Sequence, residues 1–197
     1  MKSTDSQSSM ERLIQHFAGW VLYPLGDLVG QIIMHDVSLA RYLTIMFVGG
    51  VIYRFEIPRW FSFLDRYRIN KSTLNKYKFL KVFLHTEPAE TEESVTKFNW
   101  LGKTLGAALF FNPLWIARHL FFISIAAAGF SNIDLGATCL RVLQAGSISF
   151  LTNLPIALVG NYIIQEHTSL KYRFMGSAIL TTILNAKYAI EFVLMGG

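Results

Sequence analysis

Residues 39–66 constrain the fold more than any other part of the chain. An apolar run over 42–53 is followed by the charged side chains Arg54, Glu56 and Arg59 and then by an aromatic close. At about 1.5 Å of rise per residue, a helix over this stretch is long enough to cross a bilayer. An ionised group that faces lipid costs roughly 2.5–3.5 kcal/mol, so we expect these groups to be paired or to lie at an interface.

Two arrangements of these charges agree with the sequence. Glu56 and Arg59 are three residues apart and can pair on one helical face, whereas Arg54 points away from Glu56 and needs a partner on another helix. Alternatively all of them are interfacial, with the arginines reaching towards lipid phosphates and Trp60 in the headgroup belt. Both arrangements require a membrane.

The composition agrees with an integral membrane protein. Hydrophobic residues make up 52% of the 197-residue chain and charged residues only 16%, against about 25% in soluble domains. The net charge of +5 does not indicate nucleic acid, because membrane proteins collect Lys and Arg in the loops on one side. One cysteine, Cys139, excludes an intramolecular disulfide and most cysteine metal motifs. We expect no cofactor, no metal and no nucleic-acid partner.

Polarity divides the chain into a polar N-terminal tail, 1–12, and a single helical membrane domain, 13–197. Neither a secretory signal nor an Arg-rich presequence is visible in the tail. Within the membrane domain, 66–99 is predicted to be a charged extramembrane loop, basic over 66–81 and acidic over 87–93. Its basic half alternates with aromatic residues, as is typical of a surface that lies against anionic headgroups.

Five apolar segments predict an all-α integral membrane protein, a bundle of four to five transmembrane helices with proline kinks at Pro24, Pro113 and Pro155. The segments are 13–34, 39–65, 100–128, 135–165 and 172–195. If all five cross, the tail, the long loop and the 166–173 turn lie on one side and hold nearly all the Lys and Arg. The N-terminus is then predicted to be inside.

Polar side chains inside these segments are the candidate functional residues. Asp27 and Gln31 are four apart and share a helical face, with Arg41 or Arg54 as the nearest counter-charges. Such a carboxylate is either a functional site or a structural tie between helices. His119 is either a proton relay or a packing residue. The intramembrane polar or pore-lining candidates are Asp27, Gln31, Arg41, Arg54, Glu56, Arg118, Asn161 and Arg173.

Two series of residues carry a family resemblance. The first half contains the run GDLVGQ (26–31), Arg41, Gly49 and the run WFSFLDR (60–66), and the second half contains Pro155, Asn161, Arg173 and Asn185. In order and spacing these resemble the Mpv-seventeen and peroxisomal membrane protein family. The chain departs from the family at 54–55, where Gly-Pro is expected, and at 107–108, where an Asp-Gln pair is expected. It therefore resembles a divergent member.

The resemblance implies a multi-pass α-helical protein of the mitochondrial inner or the peroxisomal membrane. It also implies channel-like passage of small solutes, without catalytic chemistry. The arginine excess among the candidates predicts a preference for anionic metabolites. The expected partners are the lipid bilayer and small solutes, and a homo-oligomer is left open. Positions that match the family and are expected to be structural are Gly26, Gly49, Trp60, Pro155 and Asn185.

Two alternatives belong to other classes of function. One is a non-transporting structural or interaction protein that docks partners or lipid through 66–99. The other is a membrane enzyme, but the sequence contains neither carboxylates at a metal-binding spacing nor a nucleophile elbow. We therefore expect that the protein is not an enzyme.

Overall fold

The computed structural model describes residues 9–70, 76–85, 95–128 and 133–194. Within them the chain is mostly helical, as predicted, and forms five long helices. These are α1 (9–33), α2 (39–66), α3 (Trp100–Ala127), α4 (Leu135–His167) and α5 (Leu170–Leu194). Helix α1 begins at Ser9, so it includes the last residues of the stretch that was predicted as a polar tail.

Side-chain caps explain where three of the helices begin. The Ser38 hydroxyl accepts a hydrogen bond from the Arg41 backbone N–H at 3.3 Å at the start of α2. Asn99 caps α3 through the Gly102 N–H, and Asp134 caps α4. Each cap satisfies a backbone donor that the first helical turn leaves free.

Wider π-helical turns interrupt α1, α2 and α3, at Ala18–Leu22, Val48–Tyr53 and Gly106–Phe111, and a fourth ends α4 at Ile163–His167. Pro24 and Pro113 follow the first and third of these segments directly, in the first turn of the α-helical part. Proline lacks a backbone donor and its ring crowds the preceding turn, and a widened turn relieves both problems. Pro155 instead lies on an exposed face within continuous α-helix.

The contacts between helices show that consecutive helices run in opposite directions. Gly19 lies against Gly49, which makes α1 and α2 antiparallel, and Gly160 of α4 lies against Leu180 of α5 in the same way. Gly26 lies against Thr182, and Tyr23 bonds Ser177, so α1 and α5 are parallel. The start of α1, the described parts of the 67–99 loop and the 168–169 turn therefore share one end of the bundle, the loop end. Link 34–38 and the described residues between α3 and α4 (128 and 133–134) share the other end, the link end.

Two of the described helices, α3 and α4, are long and apolar enough to cross a membrane. The most apolar window has a mean hydropathy of 1.4 in α3 and 1.5 in α4, and only 22% and 17% of these windows are buried within the protein. A core helix of a soluble protein would be mostly buried. Two of the five predicted segments are therefore helices that could cross a membrane by their length and composition.

Part of the charged loop is folded. Strand β1 (Arg68–Asn70) pairs antiparallel with β2 (Val95–Lys97), and a short 3-10 helix (Lys78–Phe83) precedes Leu84. The Asn99 amide donates to the Val82 carbonyl at 2.8 Å and so ties this helix to the start of α3. The sequence predicted only a loop here, and its predicted acidic half lies outside the described residues.

Candidate functional site

A buried carboxylate lies in the last third of α1. Asp27 is fully buried, and the Gln31 Nε2 donates to its Oδ2 at 2.7 Å, as their spacing on one helical face predicts. The Gln31 Oε1 in turn accepts the Ser38 backbone N–H at 2.7 Å. The amide of Gln31 thus joins the carboxylate to the cap of the next helix.

The counter-charge of Asp27 is Arg41, in the first turn of α2. Its Nε and Nη2 donate to the two carboxylate oxygens at 2.9 and 2.6 Å, which is a bidentate geometry. The link that makes this possible includes His35 in the left-handed region, with φ 53°. Arg41 uses Nε and Nη2 for Asp27, and among the described residues its Nη1 makes no hydrogen bond.

A cavity of about 70 Å³ lies beside this pair, between α2, α3, α4 and α5. Its wall combines one charged group with several amide, hydroxyl and ring groups. The polar and aromatic lining residues are Arg41, Trp115, His119, Ser149, Asn153 and Asn185. Space of this size holds roughly five water molecules, so the cavity accommodates a small polar molecule.

Several polar atoms of this wall are buried without a hydrogen-bond partner among the described residues. They are Trp115 Nε1, both His119 ring nitrogens, Asn153 Oδ1 and Asn185 Nδ2. His119 and Asn153 are only 4% and 5% exposed. Because a buried polar group without a partner costs about 1–3 kcal/mol, either water or a polar ligand in the cavity would stabilise this cluster.

The His119 ring is held by stacking. It lies on Trp115 with ring centroids 4.8 Å apart, and its Nε2 is 3.8 Å from Asp27 Oδ1. That distance is within reach of an ionic interaction but too long for a hydrogen bond. The ring is therefore close to the pair of Asp27 and Arg41, and it also forms part of the cavity wall.

A layer of aromatic rings separates this cavity from the loop end. The layer consists of four buried rings, those of Tyr23, Tyr53, Trp115 and Phe174. Ring centroids lie 5.3 Å apart for Tyr23 and Tyr53, 5.8 Å for Tyr53 and Trp115, and 5.6 Å for Tyr23 and Phe174. Tyr53 ends the π-helical segment of α2. Rings in mutual contact leave no room for a solute between them.

A second charged cluster lies at the loop end. Arg173 donates to Asp65 Oδ2 at 2.6 Å and to the Gln165 carbonyl at 2.7 Å. The Lys103 ammonium lies 3.0 Å from Asp65 Oδ1 and 3.7 Å from Glu166. The cluster joins α2, α3, α4 and α5, so the bundle carries charged or polar groups on both sides of its aromatic layer.

The other candidate pore residues are dispersed. Arg118 donates to Glu56 at 2.6 Å on the outer surface, where their side chains are 38% and 34% exposed, so Glu56 pairs with α3 rather than with Arg59. Arg54 lies against His16, with its Nη1 2.5 and 2.8 Å from the two ring nitrogens. Neither the pair of Arg118 and Glu56 nor the pair of Arg54 and His16 lines the cavity.

Asn161 donates to the carbonyl one turn earlier in α4, at 2.8 Å, and is therefore satisfied within its own helix. Among the family-like residues, Gly26 and Gly49 lie at close helix contacts, and Trp60 stacks on Phe111. Asn185 lines the cavity. Of the thirteen residues that the sequence predicted as pore-lining or family-like, the structure thus brings Asp27, Gln31, Arg41 and Asn185 to one place, beside His119.

Sequence reasoning did not select Asn153 or Trp115 as site residues, and it missed the role of Lys103 at the loop end. A signal existed for the first two, because Trp115 precedes His119 by one turn, and Asn153 is one of the few amides in an apolar helix. Lys103 lies near the start of α3, where a lysine is ordinarily read as interfacial.

No group of three or more His, Cys, Asp or Glu side chains suited to a metal ion occurs among the described residues. No family model, no curated protein and no solved structure matches the chain.

Proposed function

We propose that the protein is a multi-pass membrane protein that provides a channel-like path for small solutes, with a preference for small anionic metabolites. The observation that carries this proposal is the cavity, which has buried polar groups on its wall inside a bundle with an apolar outer surface. Large apolar side chains such as Leu114, Ile148 and Leu151 are 53–65% exposed on α3 and α4. An apolar exterior, with charged and polar groups buried and paired inside the bundle, suits a bilayer.

The direction of the helices supports crossing by all five. Their alternation brings the start of α1, the 67–99 loop and the 168–169 turn to the loop end, together with the basic residues of these segments. The positive-inside rule then places the loop end inside. The resemblance to the Mpv-seventeen family supports the mitochondrial inner or the peroxisomal membrane as the location.

In this proposal the aromatic layer is the gate. A solute that enters the cavity from the link end meets Tyr53 and Trp115 and passes only when these rings part. The neighbouring π-helical segments Ala18–Leu22 and Val48–Tyr53 contact each other through glycines and have weaker hydrogen-bond geometry than an α-helix. They are therefore suited to the small shift that opens the layer.

The test is anion current through purified protein in a planar bilayer under asymmetric salt. Asn153→Leu replaces a polar wall group with an apolar one of similar size, and we expect it to reduce the anion current about tenfold. Arg54→Gln serves as the matched control, because Arg54 lies outside the cavity, and its current should match that of the wild type. The proposal would be refuted if well-folded wild-type protein carries no anion current. It would also be refuted if Asn153→Leu carries the same current as the wild type.

A second candidate function is a non-transporting protein that docks partners or lipid through 66–99. It is favoured by the 3-10 helix of the loop, where Phe79 and Val82 are 65% and 61% exposed beside Lys81. Under this alternative, replacing Phe79 and Val82 with Ser abolishes binding of the purified protein's loop end to anionic vesicles. If the protein also shows no solute flux, this loss of vesicle binding would support the docking function.

A further inference from the structure

The cavity wall is mostly apolar, and the few polar groups on it include several hydrogen-bond donors. Asp27 and Arg41 offset each other through their bidentate pair, so the wall is close to neutral when His119 is neutral. Donors without a partner among the described residues come from the Trp115 ring and the Asn185 amide, and the Arg41 Nη1 adds a charged donor. Such a wall favours a ligand that carries acceptor oxygens.

The groups that face His119 determine what its protonation would do. From α1 Asp27 lies 3.8 Å away, and α2 contributes Arg41 to the same wall and the Tyr53 ring at a centroid distance of 6.3 Å. The described residues by which α4 and α5 line the cavity are uncharged. Protonation of His119 thus adds one positive charge beside a cavity that is otherwise balanced.

A monoanion in this cavity brings one negative charge into a buried site, and an unbalanced buried charge is costly. Protonated His119 balances it and offers a second charged donor. We infer that the cavity binds a small monocarboxylate together with one proton, which a ring nitrogen of His119 takes up from solvent. This inference rests on the proposed function and names its solute class.

The size of the cavity limits the carboxylate. About 70 Å³ corresponds to roughly five water molecules, which suits an anion of about four to six non-hydrogen atoms. Acetate has this size, and a nucleotide or a tricarboxylate does not fit. Acetamide has the same shape as acetate without its charge, and it is therefore the matched neutral probe.

The coupling between proton uptake and anion binding determines how the acetate Kd changes with pH. If one proton enters with each anion, the acetate Kd rises about tenfold for each unit of rising pH. Isothermal titration calorimetry of the full-length protein in nanodiscs, in two buffers with different heats of ionisation, counts that proton. We expect about one proton per acetate between pH 7 and 8, and weaker acetamide binding without proton uptake.

Three variants separate the role of His119 from a general effect on folding. His119→Gln should make the acetate Kd independent of pH and reduce proton uptake to about zero. Asn185→Leu should weaken acetate binding several-fold and retain the proton. His167→Gln, at an exposed position at the end of α4, should change neither quantity. Proton uptake that persists in His119→Gln, or acetate binding without proton uptake in wild type, would overturn the inference.

The same preparation distinguishes this inference from the proposed function. Protein that carries anion current but binds no acetate would retain the transport function and overturn the carboxylate site. Because acetate that moves together with one proton carries no net charge, acetate uptake into sealed vesicles is measured alongside the current. Protein that binds acetate with one proton but shows neither current nor acetate uptake would support the site and overturn transport.

Discussion

Removing the charge of Asp27 should destabilise the protein strongly. The carboxylate side chain is 1% exposed and that of Arg41 17%, so Asp27→Asn leaves a largely buried guanidinium beside a neutral amide of the same shape. Breaking a buried ion pair by removing one partner costs about 3–5 kcal/mol. The partial exposure of Arg41 allows some hydration, and we therefore expect a loss at the lower end, about 3 kcal/mol.

That loss corresponds to a fall in Tm of roughly 6–12 °C for a chain of this length. The measurement is thermal unfolding of the detergent-solubilised protein, followed by tryptophan fluorescence. Asp36→Asn makes the same chemical change at an exposed position in the link between α1 and α2, and it should shift Tm by less than about 2 °C.

The double variant Asp27→Asn with Arg41→Gln tests the cause. Removing both charges eliminates the unpaired guanidinium, so the double variant should recover more than half of the lost Tm. A Tm for Asp27→Asn within about 2 °C of wild type would refute the electrostatic argument. So would a double variant less stable than Asp27→Asn alone. Anion current per folded molecule, measured on the same samples, separates a structural tie from a group that also serves transport.

Two further predictions test the bundle itself. Gly49→Ala should lower Tm by several degrees, because its new methyl group would clash with the Gly19 carbonyl. The methyl group of Gly136→Ala would meet one atom among the described residues, Asp134 Oδ1 at 3.4 Å, so this variant should be neutral or slightly stabilising. In sealed vesicles, a membrane-impermeant maleimide should label native Cys139 and a cysteine placed at Ser169 from opposite faces, because α4 separates the two positions. Labelling of both cysteines from the same face would contradict the crossing by α4.

The helices were predictable because each depends on local sequence. Apolar periodicity and the flanking polar residues placed all five segments within a few residues of their observed bounds, and the hydrogen bond between Gln31 and Asp27 follows from their i, i+4 spacing. The strands β1 and β2 were missed, because they pair across a long loop and are only three residues each. Such short strands carry too little alternation to be recognised in a sequence.

The cavity was not predictable, because its wall comes from four helices. His119 and Asn153 lie on α3 and α4, and they approach Arg41 only through the way the helices pack side by side. Nothing in the spacing along one chain specifies which non-consecutive helices are neighbours. The pairing of Asp65 with Arg173, between α2 and α5, could not be predicted from the sequence for the same reason.

The partner of Asp27 was only partly predictable, because the sequence alone left both Arg41 and Arg54 open. A short link folds consecutive helices back on each other, so residues equidistant from its centre meet across the hairpin. Asp27 and Arg41 are each seven residues from position 34, and His16 and Arg54 are each nineteen from position 35. The link between α1 and α2 therefore implied both observed pairs. The same rule fails between α2 and α3, because the 67–99 loop separates the two helices and leaves their register open.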